Sequence, residues 1–427
     1  MRYSEFIGKP RFETGVQGIC YDFNDGVRIW LPKGNFHIKC TDLDTFTIHD
    51  EKNVEVLDGD GYVLYCDGSH YTHWLVEIQK DGCFLCRFEC NLKGKNVVMS
   101  FLTQQNNGEG ELGNAICEIA VIERFRRKHQ CNIFAIVHPK YLEIFRRAYP
   151  DIIFISAKFT ECKNAYQQLP QNVYAFYNIE MDVWVEIIIQ GECLPKYFVP
   201  VDFRIEGCLR YVEGKLGLFE CYLDKPDNRF LQSYNNEKKI REPYVCISGR
   251  GSDIKKEWNN PNGWVETVRY LKKMGYRALC IDGDGIEKGS PLDKALAEGL
   301  EDFTGYKPLQ ERVDLLYYAD FFIGLGSGLS WLAWGTGKPV ILISGFSLPF
   351  TEFYTPYRVI NYRVCHGCHN RFARRLYSEM EGDLLLCKGT EHYLECSRKI
   401  DARVVCRNID KLMEDYHLLP PKDRVKQ

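Results

Sequence analysis

No apolar stretch in this 427-residue chain runs unbroken long enough to suit a membrane span. The longest, from Phe321 to Phe350, is interrupted by Gly324, Gly326, Gly328, Gly335, Gly337 and Pro339, so it reads as a buried strand–helix–strand. Charge of one sign is equally lacking. Fifty-five Lys and Arg face 58 Asp and Glu, a formal net charge of −3, which argues against a general binder of nucleic acid or anionic membrane. Ten histidines add some positive charge below neutral pH. No long internal repeat or low-complexity segment interrupts the chain. The start, Met-Arg-Tyr-Ser-Glu-Phe, has none of the features of a signal peptide. What remains is an ordinary soluble globular profile, 45% hydrophobic and 26% charged, with length for two or three domains.

Cysteine, by contrast, is abundant: 19 residues, an odd number, which together with that start leads to the expectation of the reducing cytosol. Four of them, Cys365, Cys368, Cys387 and Cys396, form a C-x2-C knuckle followed by two more thiols. That donor set suits one tetrahedral ion, zinc or iron, because soft sulfur favours those metals. A closed site of four thiolates leaves no position open for substrate, so its role is structural. The second half lacks the fixed C-x2-C pair of a zinc-finger nucleic-acid binder. Cys83, Cys86 and Cys90 make another close group. They lie in a strand-like run whose alternation puts Cys83 and Cys86 on opposite faces, against a shared ion.

Residues 1–95 are rich in aromatic and β-branched residues and in tight-turn signals: Asn24-Asp25-Gly26, Asp58-Gly59-Asp60-Gly61 and Asp81-Gly82. They read as a β-rich module. From Lys95 the texture changes to alternating strands and helices. Asn96–Leu102 is a buried-strand run, Ala115–His129 is helical with a basic end, Ile133–Val137 and Ile152–Ile155 are strands, and Tyr141–Tyr149 is a helix. The pattern restarts after Pro243, with strands at Tyr244–Ser248, Ala278–Asp282, Phe321–Gly324 and Val340–Ile343. Helices lie between, one of them from Asn262 to Met274 ended by Gly275. Two Rossmann-like α/β domains follow, 96–240 and 241–360, with a cleft between them as the expected ligand site. A cysteine segment, 361–400, and a C-terminal helix and tail, 401–427, complete the chain.

Three loops carry chemistry. Gly324-Leu325-Gly326-Ser327-Gly328-Leu329 joins a strand to a helix, where glycines permit close approach and free N–H groups attract phosphate. Ser327 adds a hydroxyl donor, though such turns are common in α/β folds. Ser248–Pro261 starts just beyond a strand's carboxyl end, and Lys256 there could neutralise a diphosphate leaving group, or be a solvated turn cation. Gly108–Ala115 is the corresponding loop of the first half, where Glu109 and Glu111 could take a proton or simply be solvated.

Together these residues resemble the bacterial autotransporter heptosyltransferases, relatives of the ADP-heptose transferases of lipopolysaccharide core synthesis. The matching runs are ordered from about Tyr21 to Ile400. They include Tyr21–Gly26, Leu43-Asp44-Thr45, Lys256–Pro261 with Gly263-Trp264, Glu301-Asp302-Phe303-Thr304-Gly305, Gly326–Trp334, Thr355–Asn361, and the cysteine array ending in Glu395-Cys396-Ser397-Arg398. The resemblance implies a GT-B fold with an N-terminal β-module and a four-cysteine iron finger, zinc being the alternative metal. It implies ADP-heptose as donor, serines of an autotransporter passenger as acceptor and a large ring-like homo-oligomer, a dodecamer. Neither nucleic acid nor membrane is an expected partner. Ser248, Lys256, Asp302, Gly326, Ser327, Gly328 and Leu329 become the expected donor-binding residues, with Lys256 stabilising the leaving diphosphate during inverting transfer.

One departure matters. The family's loop reads Gly-x-Leu-Gly-Asp-Thr, with the Asp as base, whereas this chain reads Gly110-Glu111-Leu112-Gly113-Asn114-Ala115. An amide does not accept the acceptor's proton at a useful pKa. Glu111 could serve instead. The chain could be a non-catalytic paralogue that binds the nucleotide sugar and assembles. Or positioning and leaving-group stabilisation could carry the transfer. A different nucleotide-sugar donor is the further alternative.

Overall fold

The structure is a computed structural model that describes residues 3–57, 61, 63–64, 71–102, 112–179, 216, 231, 233, 237–370 and 387–424. Two compact units divide the chain. The first comprises 1–110, 118–199 and 210–221, the second 111–117, 200–209 and 222–427.

In the first unit a seven-stranded sheet holds β1 (Phe12–Glu13), β2 (Cys20–Asn24), β3 (Arg28–Trp30), β8 (Asn96–Ser100), β9 (Asn132–Val137), β10 (Ile152–Ser156) and β11 (Val173–Asn178). Its order is β1-β2-β11-β8-β9-β10, and β3 pairs antiparallel with β2 off this path. The core pairings β2–β11, β11–β8, β8–β9 and β9–β10 are parallel. Such strands are covered on both faces, and accordingly Val97, Val98 and Met99 of β8 are fully buried. The helices are α1 (Tyr3–Ile7), α2 (Leu112–His129), whose residues 112–117 are counted with the second unit, α3 (Pro139–Ala148) and α4 (Cys162–Gln167). Tyr3 of α1 and Tyr166 of α4 pack with Val98, Ile136 and Phe176 in one apolar cluster.

A second, antiparallel sheet in this unit contains β4 (Gly34–Asp42), β5 (Thr47–Val56), β6 (Trp74–Lys80) and β7 (Cys83–Glu89), in the order β5-β4-β6-β7. Alternation governs it: Phe36, Ile38 and Cys40 are buried while their neighbours are not. The turn chemistry read from the sequence operates here. Asp81 and Gly82, at φ 50° and 78°, close the β6–β7 hairpin, and Asp25 and Gly26, at 58° and 103°, close β2–β3. The 58–60 turn lies outside the described residues. Cys83 is exposed and Cys86 buried, on opposite faces. The β-rich N-terminal stretch is thus shared: β1–β3 extend the larger sheet and β4–β7 form their own.

In the second unit six parallel strands stand in the order β14-β13-β12-β15-β16-β17. They are β12 (Tyr244–Ile247), β13 (Arg277–Cys280), β14 (Leu300–Asp302), β15 (Phe322–Leu325), β16 (Val340–Ile343) and β17 (Arg358–Val359). Every residue of β12, β15 and β16 is buried, which is why they read as continuous apolar runs. Helices α5 (Gly263–Met274), α6 (Pro291–Leu296), α7 (Leu309–Tyr318), α8 (Gly328–Gly335), α9 (Glu395–Arg398) and α10 (Ala402–Asp415) belong to this unit. Gly275 ends α5 in the left-handed conformation, φ 96°. The core includes Trp258, Trp264, Leu271, Val405, Ile409 and Leu412. Among the described residues no helix is long and apolar enough to cross a membrane.

Candidate functional site

Strand order in the second sheet reverses between β12 and β15, so the crevice outside their carboxyl ends is the topological switch point where open α/β sheets take ligands. Ser248 follows β12 directly, Lys256 lies in the same connection, Gly326–Leu329 follow β15, and Asp302 ends β14. The structure therefore brings the second-half candidates to one sheet edge.

Ser248 is fully buried and donates to Asp282 Oδ1 at 2.6 Å. Oδ2 of the same carboxylate accepts the N–H groups of Gly249 (3.0 Å) and Arg250 (3.1 Å). Burial pushes the Asp282 carboxyl up, and these hydrogen bonds oppose the rise. Ser248 is thus a fixed part of the loop rather than an open donor. Arg312, also buried, donates to the carbonyls of Asp282 (3.1 Å), Phe303 (2.7 Å) and Gly305 (2.7 Å), clamping the loops after β13 and β14 together. Asp282 and Arg312 were not among the expected residues. The apolar strand run ending in Asp282 was the available signal. Asp302 is exposed, and its carboxylate accepts the N–H and hydroxyl of Thr304, which hold it below the usual range.

Ser327 is the N-cap of α8, with extended backbone and no side-chain cap bond. Its Oγ is buried with no hydrogen-bond partner among the described residues. A buried hydroxyl in that state is costly unless something meets it, and it sits where a helix start favours an anion. Leu329, half-buried, lies in the same first turn.

Lys256 closes a short 3-10 turn, Ile254–Lys256, capped by Asp253, whose Oδ1 accepts the Lys255 N–H at 3.0 Å. Lys255 pairs with Asp253 (2.9 Å) and lies over the Phe346 ring, 5.5 Å from its centroid. Burial, then the charges of Lys256 and Lys255, push the His369 imidazole down to about 4. The segment behind Lys256 is tied to α9: Ser397 donates to the Glu257 carbonyl (2.7 Å) and accepts the Asn259 N–H (2.8 Å), and Trp258 Nε1 donates to the Ile400 carbonyl (3.1 Å). Two sequence features that looked independent, the Lys256–Pro261 run and Cys396-Ser397, are therefore one structural element.

Asn114 lies in the first turn of α2, a turn that clusters with the second unit. Its neighbour Gly113 packs on the Trp331 indole, and Leu112 on Gly328, so closely that a Cβ on either glycine would overlap the partner. Glu109 and Glu111 lie outside the described residues.

Among the described residues no group of three or more His, Cys, Asp or Glu is drawn into an ion-holding arrangement. The four expected cysteines nevertheless lie near enough for their thiols to feel one another's charge, and thiolates are the donors that soft metal ions take. Gly367, between Cys365 and Cys368, takes φ 69°, which turns the knuckle sharply. Burial, then the neighbouring Cys368, Cys387 and Cys365, push the Cys396 thiol up to about 12. Mutual repulsion of this kind is what a bound cation reverses. The knuckle is docked on the loop after β16, with the Gly367 N–H on the Gly345 carbonyl (2.9 Å) and the His369 N–H on that of Phe346 (3.1 Å).

Two family models match: Glycosyltransferase TibC, N-terminal domain, over residues 15–59, and Glycosyltransferase family 9 (heptosyltransferase) over residues 217–374. The chain is 38% identical to the autotransporter heptosyltransferase Aah of Escherichia coli, covering 98% of this chain and 99% of Aah. It is 28% identical to the inactive autotransporter heptosyltransferase BimC of Burkholderia thailandensis, over 93% and 86% of the two chains. Its fold matches the crystal structure of the dodecameric iron-containing heptosyltransferase TibC of E. coli in complex with ADP-D-β-D-heptose. The TM-score is 0.73 at 32% identity, covering 96% of this chain and 99% of TibC. The α/β architecture is thus the GT-B-like glycosyltransferase fold of TibC, and the chain belongs to the autotransporter heptosyltransferases, glycosyltransferases of family 9.

Proposed function

We propose that this protein transfers heptose from ADP-heptose to serine hydroxyls of an autotransporter passenger, with inversion at the anomeric carbon. The observation that carries the donor reading is the buried Ser327 Oγ, without a partner among the described residues, at the start of α8 and at the sheet's switch point. A donor diphosphate supplies the acceptor this hydroxyl and the first N–H groups of α8 require. The acceptor oxygen forms its bond to the anomeric carbon as the bond to the β-phosphate oxygen breaks and ADP leaves. Lys256 stabilises the charge that develops on the departing diphosphate. Asp282 and Arg312 hold the flanking loops, and Asp302 lies at the same sheet edge as part of the donor surround.

The acceptor's proton must leave as its bond forms. Asn114 stands where the family carries its acid and does not accept it. Glu111 is the base in this reading, and leaving-group stabilisation supplies most of the drive. A second reading, donor binding and assembly without turnover, is favoured by the same Asn114 and by the relationship to BimC, which is named inactive.

The N-terminal β-rich region and the cysteine segment serve assembly in this account. Cys365, Cys368, Cys387 and Cys396 would hold iron, as the iron-containing TibC suggests, with zinc the alternative. When bound, the ion supplies a structural cross-link, with no open position for substrate. The oligomer is a homo-oligomer of TibC type, and the reducing cytoplasm is where its thiols and a nucleotide sugar coexist. Purified protein incubated with ADP-heptose and a passenger fragment tests the reading. Mass gain on serine-containing peptides supports it, and tight ADP binding without any gain leaves the non-catalytic reading standing.

A further inference from the structure

Behind the Gly326–Ser327 turn the second unit holds a buried ion pair. Arg358 Nη2 lies 2.7 Å from Glu352 Oε2, and each side chain is only 8% exposed. The other carboxylate oxygen, Oε1, accepts the Ser347 hydroxyl at 2.6 Å. Nη2 of Arg358 also reaches the carbonyls of Ser347 (3.4 Å) and Leu348 (3.3 Å). Gly326 rests directly on this group. A Cβ at that position would overlap Glu352 Oε1 and come within 3.4 Å of Ser347 Oγ. Gly326 has no left-handed backbone, so the missing side chain serves close approach rather than an unusual φ.

Resting on the donor reading above, we propose that Glu352 is a positioning residue for the phosphate-binding turn. Held by Arg358 and Ser347, its carboxylate is the wall against which Gly326 lies, and so it sets the direction of Ser327 Oγ and the first N–H groups of α8. Arg358 makes this tolerable: a lone carboxylate behind an anion site would repel the ligand, whereas a paired one presents little net charge. The pair therefore shapes the site without opposing what binds there. Packing alone would need neither the ion pair nor a glycine at 326, since apolar side chains fill such space at lower desolvation cost.

The test is a set of ADP titrations by calorimetry, with melting temperatures measured without nucleotide. Gly326→Ala leaves the ion pair in place and pushes the turn off its wall; ADP affinity should fall about tenfold, the scale of a lost hydrogen bond to a charged group. Glu352→Asp withdraws the carboxylate by one methylene and should weaken ADP several-fold. Combined with Gly326→Ala it relieves the overlap, so the double variant should bind better than Gly326→Ala alone. In a Ser327→Ala background Glu352→Asp should cost less affinity than in wild type, because only the first N–H groups of α8 remain to be directed. Lowered melting temperatures with ADP affinity within twofold of wild type in both single variants would make Glu352 a packing residue only. Simple addition of the two losses would do the same. A wild type that fails to bind ADP sinks the donor reading and this role with it, so the wild-type titration separates the two failures.

Discussion

Ser248 donates its hydroxyl to Asp282 across two neighbouring strand ends, 2.6 Å apart, with both residues buried. The carboxylate then takes the next two backbone N–H groups, so one side chain determines the path of the chain leaving β12 toward Lys256. Asp282→Ala leaves the Ser248 hydroxyl, the Gly249 and Arg250 N–H groups and the Cys280 thiol without their acceptor. It should cost about 3 kcal/mol or more in unfolding free energy, read by urea denaturation, and lower transfer further by freeing the loop. A variant as stable as wild type would show that this network does not organise the loop.

Ser327→Ala should do the opposite. Its Oγ has no hydrogen-bond partner among the described residues, so folding should lose little when it is removed. Nucleotide affinity should fall about tenfold, because a hydrogen bond to a charged ligand is worth roughly 1.5–3 kcal/mol. Isothermal titration with ADP checks this against a melting curve that stays near wild type.

Much of this site was legible in the sequence. The Gly326–Leu329 turn and the loop after β12 were both placed at strand ends from apolar runs and glycines alone, and the switch point joins them. Ser248 was legible as a position and not as a role, because its partner lies 34 residues on. Glu352 and Arg358 were invisible for a similar reason. Nothing local distinguishes a buried ion pair from a surface one, and its meaning comes from Gly326, which lies on another strand's connection. The division of the β-rich N-terminus between two sheets also escaped the sequence, since alternation marks a strand without naming its neighbour.

The cysteine segment makes a further prediction. On the proposed four-thiolate site, Cys396→Ser should abolish metal binding and disturb assembly before chemistry. Metal-to-protein ratio and an absorption spectrum, with ferric tetrathiolate coloured and zinc colourless, together with light scattering, test this. A variant that keeps its metal and its mass in solution would remove Cys396 from the ligand set.

Acid should destabilise the first unit through His129. Burial, then Lys128 and His73, hold its imidazole down to about 4, with Asp44 opposing. The unfolded chain takes up a proton near the ordinary histidine pKa of about 6.5, while the folded state does not until near 4. Stability is therefore present above that ordinary value and is lost as pH falls from about 6.5 toward 4. His73, whose imidazole is raised, favours folding in acid and offsets part of the loss. His129→Phe keeps the ring packing against Phe125 and Tyr71 and should flatten the decline in melting temperature across that window. An unchanged slope would show that another group governs it.

The central claim is that Asn114 stands in an otherwise working heptosyltransferase. The direct measurement is the intact mass of a passenger fragment after incubation with ADP-heptose and the wild-type protein or Asn114→Asp. The account predicts a gain of whole heptose residues on serines with wild type, faster with Asn114→Asp. No gain from either protein, with ADP binding intact, would contradict it.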